Sequence, residues 1–429
     1  MAAVPRLLVL MGSGETSPTM VGTHRELFAR LGEDVGGVLL ETPYAFQENA
    51  AEISAKAQAY FGRSVGRRVE VLRHLAAGDE RLAAETALAR LRAARWAFAG
   101  PGSPSYALAA WRGTQIPSAI ADLVQRGGCA VFASAAACTV GTRTLPVYEV
   151  YKVGQAPRWL EGLDLVGVAE LPVAVVPHYD NNEGGTHDTR FCYMGERRLH
   201  VLEEQLPDEA AVLGVDEHTA VVLDLDLQAV AVTGRGGLTV RRRGREWTWP
   251  SGETVSLDEL RRVVAGRSGM AASRAAGPEV CARAPAERDA VPMPLLPQVV
   301  DGCAEAFQRA HASRDAAGMV EAILDLDRAI VAWSADTLES DDLDRAHSIL
   351  RSLVVTLGET ASAGLRDPAE ALAPIVESLI SLRAALRADG HFDLADAVRA
   401  ALAAADVELR DQPDSTVWQL RDNHHGRQP

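Results

Sequence analysis

From Gly128 to Gly141 the chain reads Gly-Cys-Ala-Val-Phe-Ala-Ser-Ala-Ala-Ala-Cys-Thr-Val-Gly, with no turn residue between an apolar run and an alanine-rich helix start. Few folds accept such a stretch. An uninterrupted apolar run of this length belongs inside a parallel sheet covered on both faces. A strand that passes directly into a helix must bend sharply at the junction. The residue at that bend, Ser134, is then lifted clear of the sheet edge, above a helix N-terminus that favours negative charge. Ser134 is the candidate nucleophile; a buried Ala/Ser helix packed on a sheet is the plainer reading of the same letters.

The stretches around it repeat the alternation. Strands are predicted at 7–11, 35–40, 68–75 and 96–99, with helices at 24–31, 48–61, 84–94 and 108–126 between and after them. Such alternation predicts an α/β fold, a mainly parallel sheet covered by helices. Two of the strands end in glycine-rich turns, Gly12-Ser13-Gly14-Glu15 and Gly100-Pro101-Gly102-Ser103, at the carboxyl edge where open α/β sheets place ligands. There is no GxGxxG, so a dinucleotide is not expected. After Ser134 come a strand at 171–176, a helix at 195–205, strands at 211–215 and 220–225, and an antiparallel tail at 229–233 and 238–242. The chain thus divides into three parts: an α/β domain over 1–266, a Pro/Ala/Gly-rich linker over 267–298, and a helical bundle over 299–429. In the bundle, apolar residues recur at three- and four-residue spacing, as in Met319, Ile323, Leu326 and Ile330, and in Ile375, Leu379, Leu382 and Leu386. The tail 423–429 reads as frayed.

Composition narrows the setting. No apolar run approaches the roughly 20 residues that span a bilayer, and the N-terminus lacks the layout of a signal peptide. The five cysteines are scattered and form no CxxC, which fits reduced thiols in a cytoplasm. A net charge of −15 argues against broad nucleic-acid binding. From Asp301 onward, 12 Lys and Arg face 23 Asp and Glu.

A serine attacks well only when a base takes its proton and a third group orients that base. His178 directly follows the predicted strand at 171–176 and is the candidate base; His187 and His218 lie further from a strand end. Glu217, Asp216 or Glu149 could orient it, with Glu217 favoured. Backbone N–H groups of Gly102 and Ala135 are the candidate oxyanion hole. Gly14, Ser103, Asp180 and Arg190 are candidates for substrate binding; Arg190 either clamps a carboxylate or pairs with Asp188. His178, Asp180, Glu183, His187 and Asp188 crowd one loop but lack the helical or cross-strand spacing of a zinc site. Neither a metal nor a cofactor is expected.

These segments carry a resemblance. Gly12-Ser13-Gly14-Glu15, Gly100-Pro101-Gly102-Ser103, Ala133-Ser134-Ala135-Ala136-Ala137, Pro177-His178-Tyr179 and Gly214-Val215-Asp216-Glu217-His218-Thr219-Ala220 occur in the order seen in the peptidase E and cyanophycinase family of serine peptidases, which the first 260 residues or so resemble. The resemblance implies a class I glutamine-amidotransferase-like, flavodoxin-like architecture and hydrolysis of a small peptide or amide through a Ser-His-Glu/Asp triad. In that family the turn reads Gly-x-Ser-Ala-Gly. Here Phe132 and Ala136 occupy the glycine positions, where glycine lets strand and helix approach closely. That departure bears on activity more than on fold, and an inert ligand-binding or scaffold protein is the alternative it suggests. The last 130 residues have a separate likeness. His391-Phe392-Asp393-Leu394-Ala395-Asp396-Ala397-Val398-Arg399 and the run from Val407 to Trp418 resemble the helical, tRNA-contacting end of bacterial cysteinyl-tRNA synthetases. No HIGH-like or KMSKS-like motif accompanies it, so aminoacylation is not expected. The acidic balance argues against tRNA as a partner, despite Arg399, Arg410 and Arg421; a homodimer is the other association this part suggests.

Overall fold

The computed structural model describes residues 4–32, 35–73, 80–184, 187–267, 294–334, 336, 341–363, 368–412 and 415–420. Most of the expected linker, 268–293, and the tail 423–429 lie outside the described residues. The chain divides into two compact units, Met1–Gln298 with Ala329–Arg345, and Val299–Arg328 with Ala346–Pro429. No helix among the described residues is long and apolar enough to cross a membrane.

The first unit holds the strands β1 (Arg6–Met11), β2 (Gly37–Leu40), β3 (Val69–Leu72), β4 (Trp96–Ala99), β5 (Gly128–Ala133), β6 (Arg143–Thr144), β7 (Leu160–Glu161), β8 (Val173–Val176), β9 (Ala211–Val215), β10 (Thr219–Asp224), β11 (Ala229–Gly234), β12 (Gly237–Arg242), β13 (Arg245–Pro250) and β14 (Thr254–Ser256). They form two mixed sheets flanked by helices, ordered β14-β11-β10-β1-β5-β4-β2-β3 and β13-β12-β9-β8-β6-β7. In the larger sheet β1, β5, β4, β2 and β3 run parallel, as the alternation predicts. The later strands β10, β11 and β14 extend it antiparallel from β1.

Both faces of the larger sheet are buried at its central strands β1, β5, β4 and β2, which is why those strands are almost continuously apolar. Leu8, Leu10, Ala130 and Phe132 join one core, while Leu7, Val9, Met11, Cys129, Val131 and Ala133 join the other. The antiparallel tail does not stay in one sheet: β11 and β14 join the larger and β12 and β13 the smaller. The chain crosses between the sheets at 216–218, between β9 and β10.

Local chemistry explains the other departures from expectation. The helix expected over 108–126 is two helices, Pro104–Trp111 and Ile116–Gln125. Gly113 takes a φ of +75°, and Thr114 Oγ1 accepts the Ile116 N–H at 3.2 Å, so a turn restarts the helix with Pro117 in its first turn. A helix over Leu257–Val264, absent from the sequence reading, starts where Ser256 Oγ accepts the Glu259 N–H at 3.1 Å. The Ser256-x-x-Glu259 spacing was the available signal.

Beyond Leu295 come helices Leu296–Ala312, Ala316–Trp333, Asp342–Ala363, Pro368–Ala388 and Phe392–Ala404, then a hairpin of β15 (Val407–Asp411) and β16 (Thr416–Leu420). The first of these begins inside the segment expected as linker, with Pro297 tolerated in its first turn. In helix Pro368–Ala388 the buried stripe differs from the expected one. Ile375 and Leu382 are exposed, whereas Val376 and Arg383 are buried. Arg383 faces inward because its guanidinium meets Asp411 in two parallel bonds of 2.8 and 2.9 Å, which an apolar-period reading cannot anticipate. Arg399 also bonds Asp411, and Arg410 pairs with Glu408, so both described members of the expected basic patch are matched by carboxylates.

Candidate active site

Four strand ends converge on Ser134. The parallel register sets Met11 of β1 beside Ala133 of β5, and Ala99 of β4 beside Phe132. The turns after β1 and β4 therefore flank the residue that follows β5. On the far side of β1, the Gly12 N–H donates to Thr219 O at 3.0 Å. A Cβ on Gly12 would lie 2.0 Å from Asp216 O, so glycine here lets the crossover carrying Glu217 come against the sheet.

The bend after β5 is as abrupt as its sequence implies. Ala133 is extended, Ser134 takes a φ of +48°, and a short helix Ser134–Ala137 follows at once. A non-glycine residue held in the left-handed region stores strain of about 1 kcal/mol or more. The two bulkier residues beside the bend, Phe132 and Ala136, are absorbed by packing. Phe132 lies in the core, and fully buried Ala136 donates its N–H to Gly100 O at 3.1 Å.

Ser134 Oγ lies 3.0 Å from His178 Nε2, and His178 Nδ1 lies 2.7 Å from Glu217 Oε1. Asn181 Nδ2 donates to the same Glu217 oxygen at 3.1 Å, and the Glu217 N–H donates to Asp180 Oδ1 at 2.7 Å. Burial alone would lower the proton affinity of His178. The hydrogen bond and charge of Glu217, with the nearby Cys192 and Glu15, overcome it and hold the imidazole at about 9. Glu217 answers in kind: burial would raise it, but the His178 contact brings it below the ordinary carboxylate range.

The other expected acids are engaged elsewhere. Asp216 Oδ2 accepts the Gly237 N–H at 2.7 Å, and burial, then the Asp180 charge, push Asp216 up to about 7. Glu149 takes the hydroxyl of Ser105. Of the other histidines, His218 meets Thr19 Oγ1 at 2.9 Å, and His187 Nε2 lies 3.3 Å from the Tyr151 hydroxyl.

Gly102 and Ala135 both line the cavity next to Ser134, and among the described residues neither backbone N–H has an internal partner. Gly102 takes a φ of +135°, and a Cβ there would fall 1.9 Å from Pro43 O. Only glycine fits. The four substrate-binding candidates do not line this cavity. Gly14 packs on the His218 ring, and Ser103 caps helix Pro104–Trp111 by accepting the Tyr106 N–H. Asp180 supports the Glu217 backbone, and Arg190 holds Asp188 in two 2.9 Å bonds and lies over the Phe191 ring. The crowded loop serves these contacts. Among the described residues no group of three or more His, Cys, Asp or Glu is placed to hold a metal.

The cavity measures about 540 Å³, and four of the seven tyrosines line it: Tyr44, Tyr148, Tyr151 and Tyr193. Tyr151 stacks on Tyr193 with ring centroids 5.1 Å apart, and the Tyr193 hydroxyl donates to Glu183 Oε2 at 2.9 Å. Sequence reading passed over these residues because lone tyrosines on separate segments carry no spacing signal. Tyr148 and Tyr151, in helix Val147–Tyr151, were the nearest to a pattern.

No family model matches the chain. A cysteine–tRNA ligase of Micrococcus luteus is 33% identical over 178 residues, 39% of this chain and 33% of that protein, in support of the likeness of the C-terminal helical part. The chain thus spans about a third of the length of the curated relative it matches. Among solved structures, a peptidase from an acI-B1 actinobacterium is similar with a TM-score of 0.47 and 20% identity, covering 59% of this chain and 98% of its own. A putative peptidase E protein from Listeria monocytogenes gives 0.38 and 17%, covering 54% and 98%. The structural neighbours are peptidase E-like proteins that match the N-terminal part.

Proposed function

We propose that this chain is a serine hydrolase that cleaves a peptide or amide bond, with Ser134 as nucleophile, His178 as base and Glu217 as the orienting acid. The observation that carries the reading is the unbroken relay from Ser134 Oγ through His178 to Glu217, at 3.0 and 2.7 Å. A separation beyond hydrogen-bond reach would instead have favoured an inert scaffold.

Ser134 Oγ attacks the carbonyl carbon as His178 Nε2 takes its proton, and the imidazolium is stabilised across Nδ1 by Glu217. The oxygen that gains charge is met by the N–H groups of Gly102 and Ala135. Collapse expels the amine, which leaves with the proton from Nε2. A water molecule then repeats the sequence on the acyl-enzyme and frees Ser134. The helical second unit is an accessory to this chemistry, and its paired arginines and acidic balance disfavour tRNA as its partner.

Hydrolysis of a mixed peptide library by the wild type and by Ser134→Ala tests the reading. Turnover by the wild type and its loss in the variant are expected. Undiminished turnover in the variant refutes the assignment.

A further inference from the structure

We propose that Asn181 is a positioning residue of the relay: its side-chain amide fixes the Glu217 carboxylate on His178 and competes with the imidazole for one carboxylate oxygen. The inference rests on the hydrolase reading and deepens it. Asn181 is fully buried and follows β8 by five residues. Its Nδ2 donates to Glu217 Oε1 at 3.1 Å, the atom that His178 Nδ1 meets at 2.7 Å.

The orientation of the amide is set by its partners. An ionised carboxylate can only accept, and the Glu183 N–H, 3.3 Å from Asn181 Oδ1, can only donate. The flipped amide would set donor against donor and acceptor against acceptor. The backbone is tied as well: the Asn181 N–H donates to His178 O at 3.3 Å, and Asn181 O accepts from Thr189 Oγ1 at 3.4 Å. Asn181 is thereby fastened both to the base and to the acid it serves.

Sharing one oxygen has a chemical consequence. Each donor withdraws electron density from Glu217 Oε1, so the amide moderates the hold of the carboxylate on the imidazolium. Without the amide, Oε1 becomes more basic and His178 keeps its proton to higher pH. A protonated His178 cannot accept the Ser134 proton. The other titratable groups facing the pair are Asp180, Glu183, Cys192 and Tyr193 from the loop after β8, Asp216 and His218 from the crossover, and Glu15 from the turn after β1. All of them remain when Asn181 alone is replaced.

The experiment measures the rate of Ser134 phosphonylation by a fluorophosphonate over roughly pH 6 to 10, in the wild type, Asn181→Ala and Asn181→Leu. An NMR titration of the His178 ring and a thermal melt accompany each protein. The expected result is an acid limb moved up by about one pH unit, so that labelling at neutral pH slows about tenfold and recovers at alkaline pH. The His178 titration should move by the same amount. A lowered melting temperature with an unmoved limb and titration overturns the proposal, since a residue that only braces the loop would behave so. If the wild type is not labelled at Ser134, the hydrolase reading fails. The titration still decides the role of Asn181: an unmoved His178 overturns it.

Discussion

Replacing Glu217 by Gln keeps the shape of the relay and removes its charge. Burial is the largest influence on His178 and acts to lower its proton affinity; the hydrogen bond to Glu217 is the largest opposing one, followed by the charges of Cys192, Glu217 and Glu15. Without that bond and charge the imidazole should fall from about 9 toward its ordinary 6.5, a drop of about two units. At 1.36 kcal/mol per unit this is a coupling of about 3 kcal/mol. In the wild type the folded value lies above the unfolded one, so the His178 contribution to stability is fully present below pH 6.5 and lost as pH rises through about 9. In Glu217→Gln the folded value comes close to the unfolded one, and most of that contribution is absent at every pH. Melting temperatures of the two proteins should therefore be furthest apart below pH 6.5 and approach one another above 9. The variant should also lose about 10³–10⁴ in kcat, because the imidazolium formed during attack has no counter-charge. An NMR titration of His178 beside paired thermal melts is the assay. A variant His178 that still titrates near 9, or melting curves that stay parallel across the range, would refute the reasoning.

Two further outcomes come from the turn geometry. Gly102→Ala places a methyl 1.9 Å from Pro43 O at a φ of +135°, so the turn must move and carry its N–H away; kcat should fall about 10²–10³-fold with KM little changed, as steady-state kinetics would show. Ala136→Gly removes a methyl at a buried helical position and should cost about 1 kcal/mol in chemical denaturation while leaving activity within a few-fold. A large gain in activity would mean that the methyl strains the nucleophile turn.

Much of this site was legible because strand ends leave marks in a sequence. A buried parallel strand is a continuous apolar run, and the first residues after such a run sit at the sheet edge; this pattern marks Ser134, His178 and Gly102 as candidates. Glu217 was harder. Three acids stood near strand or loop edges, and only the crossover between two sheets brings Glu217, rather than Asp216 or Glu149, to His178 Nδ1. That crossover depends on long-range pairing of β9 and β10 with different sheets, which no local pattern encodes. Asn181 and the tyrosines were missed for the same reason: their partners lie on separate segments. Arg383 shows the converse, since its aliphatic stem and paired head fill a buried position that the hydrophobic period passes over in favour of Leu382.

The measurement closest to the central claim is covalent mapping of the nucleophile. The wild-type protein is treated with a fluorophosphonate at about pH 9, near the value to which the Glu217 contact raises His178, then digested and sequenced by mass spectrometry. The relay predicts one phosphonyl group, on Ser134, and its loss in both Ser134→Ala and His178→Ala. An unlabelled Ser134, or labelling that persists undiminished in His178→Ala, contradicts it.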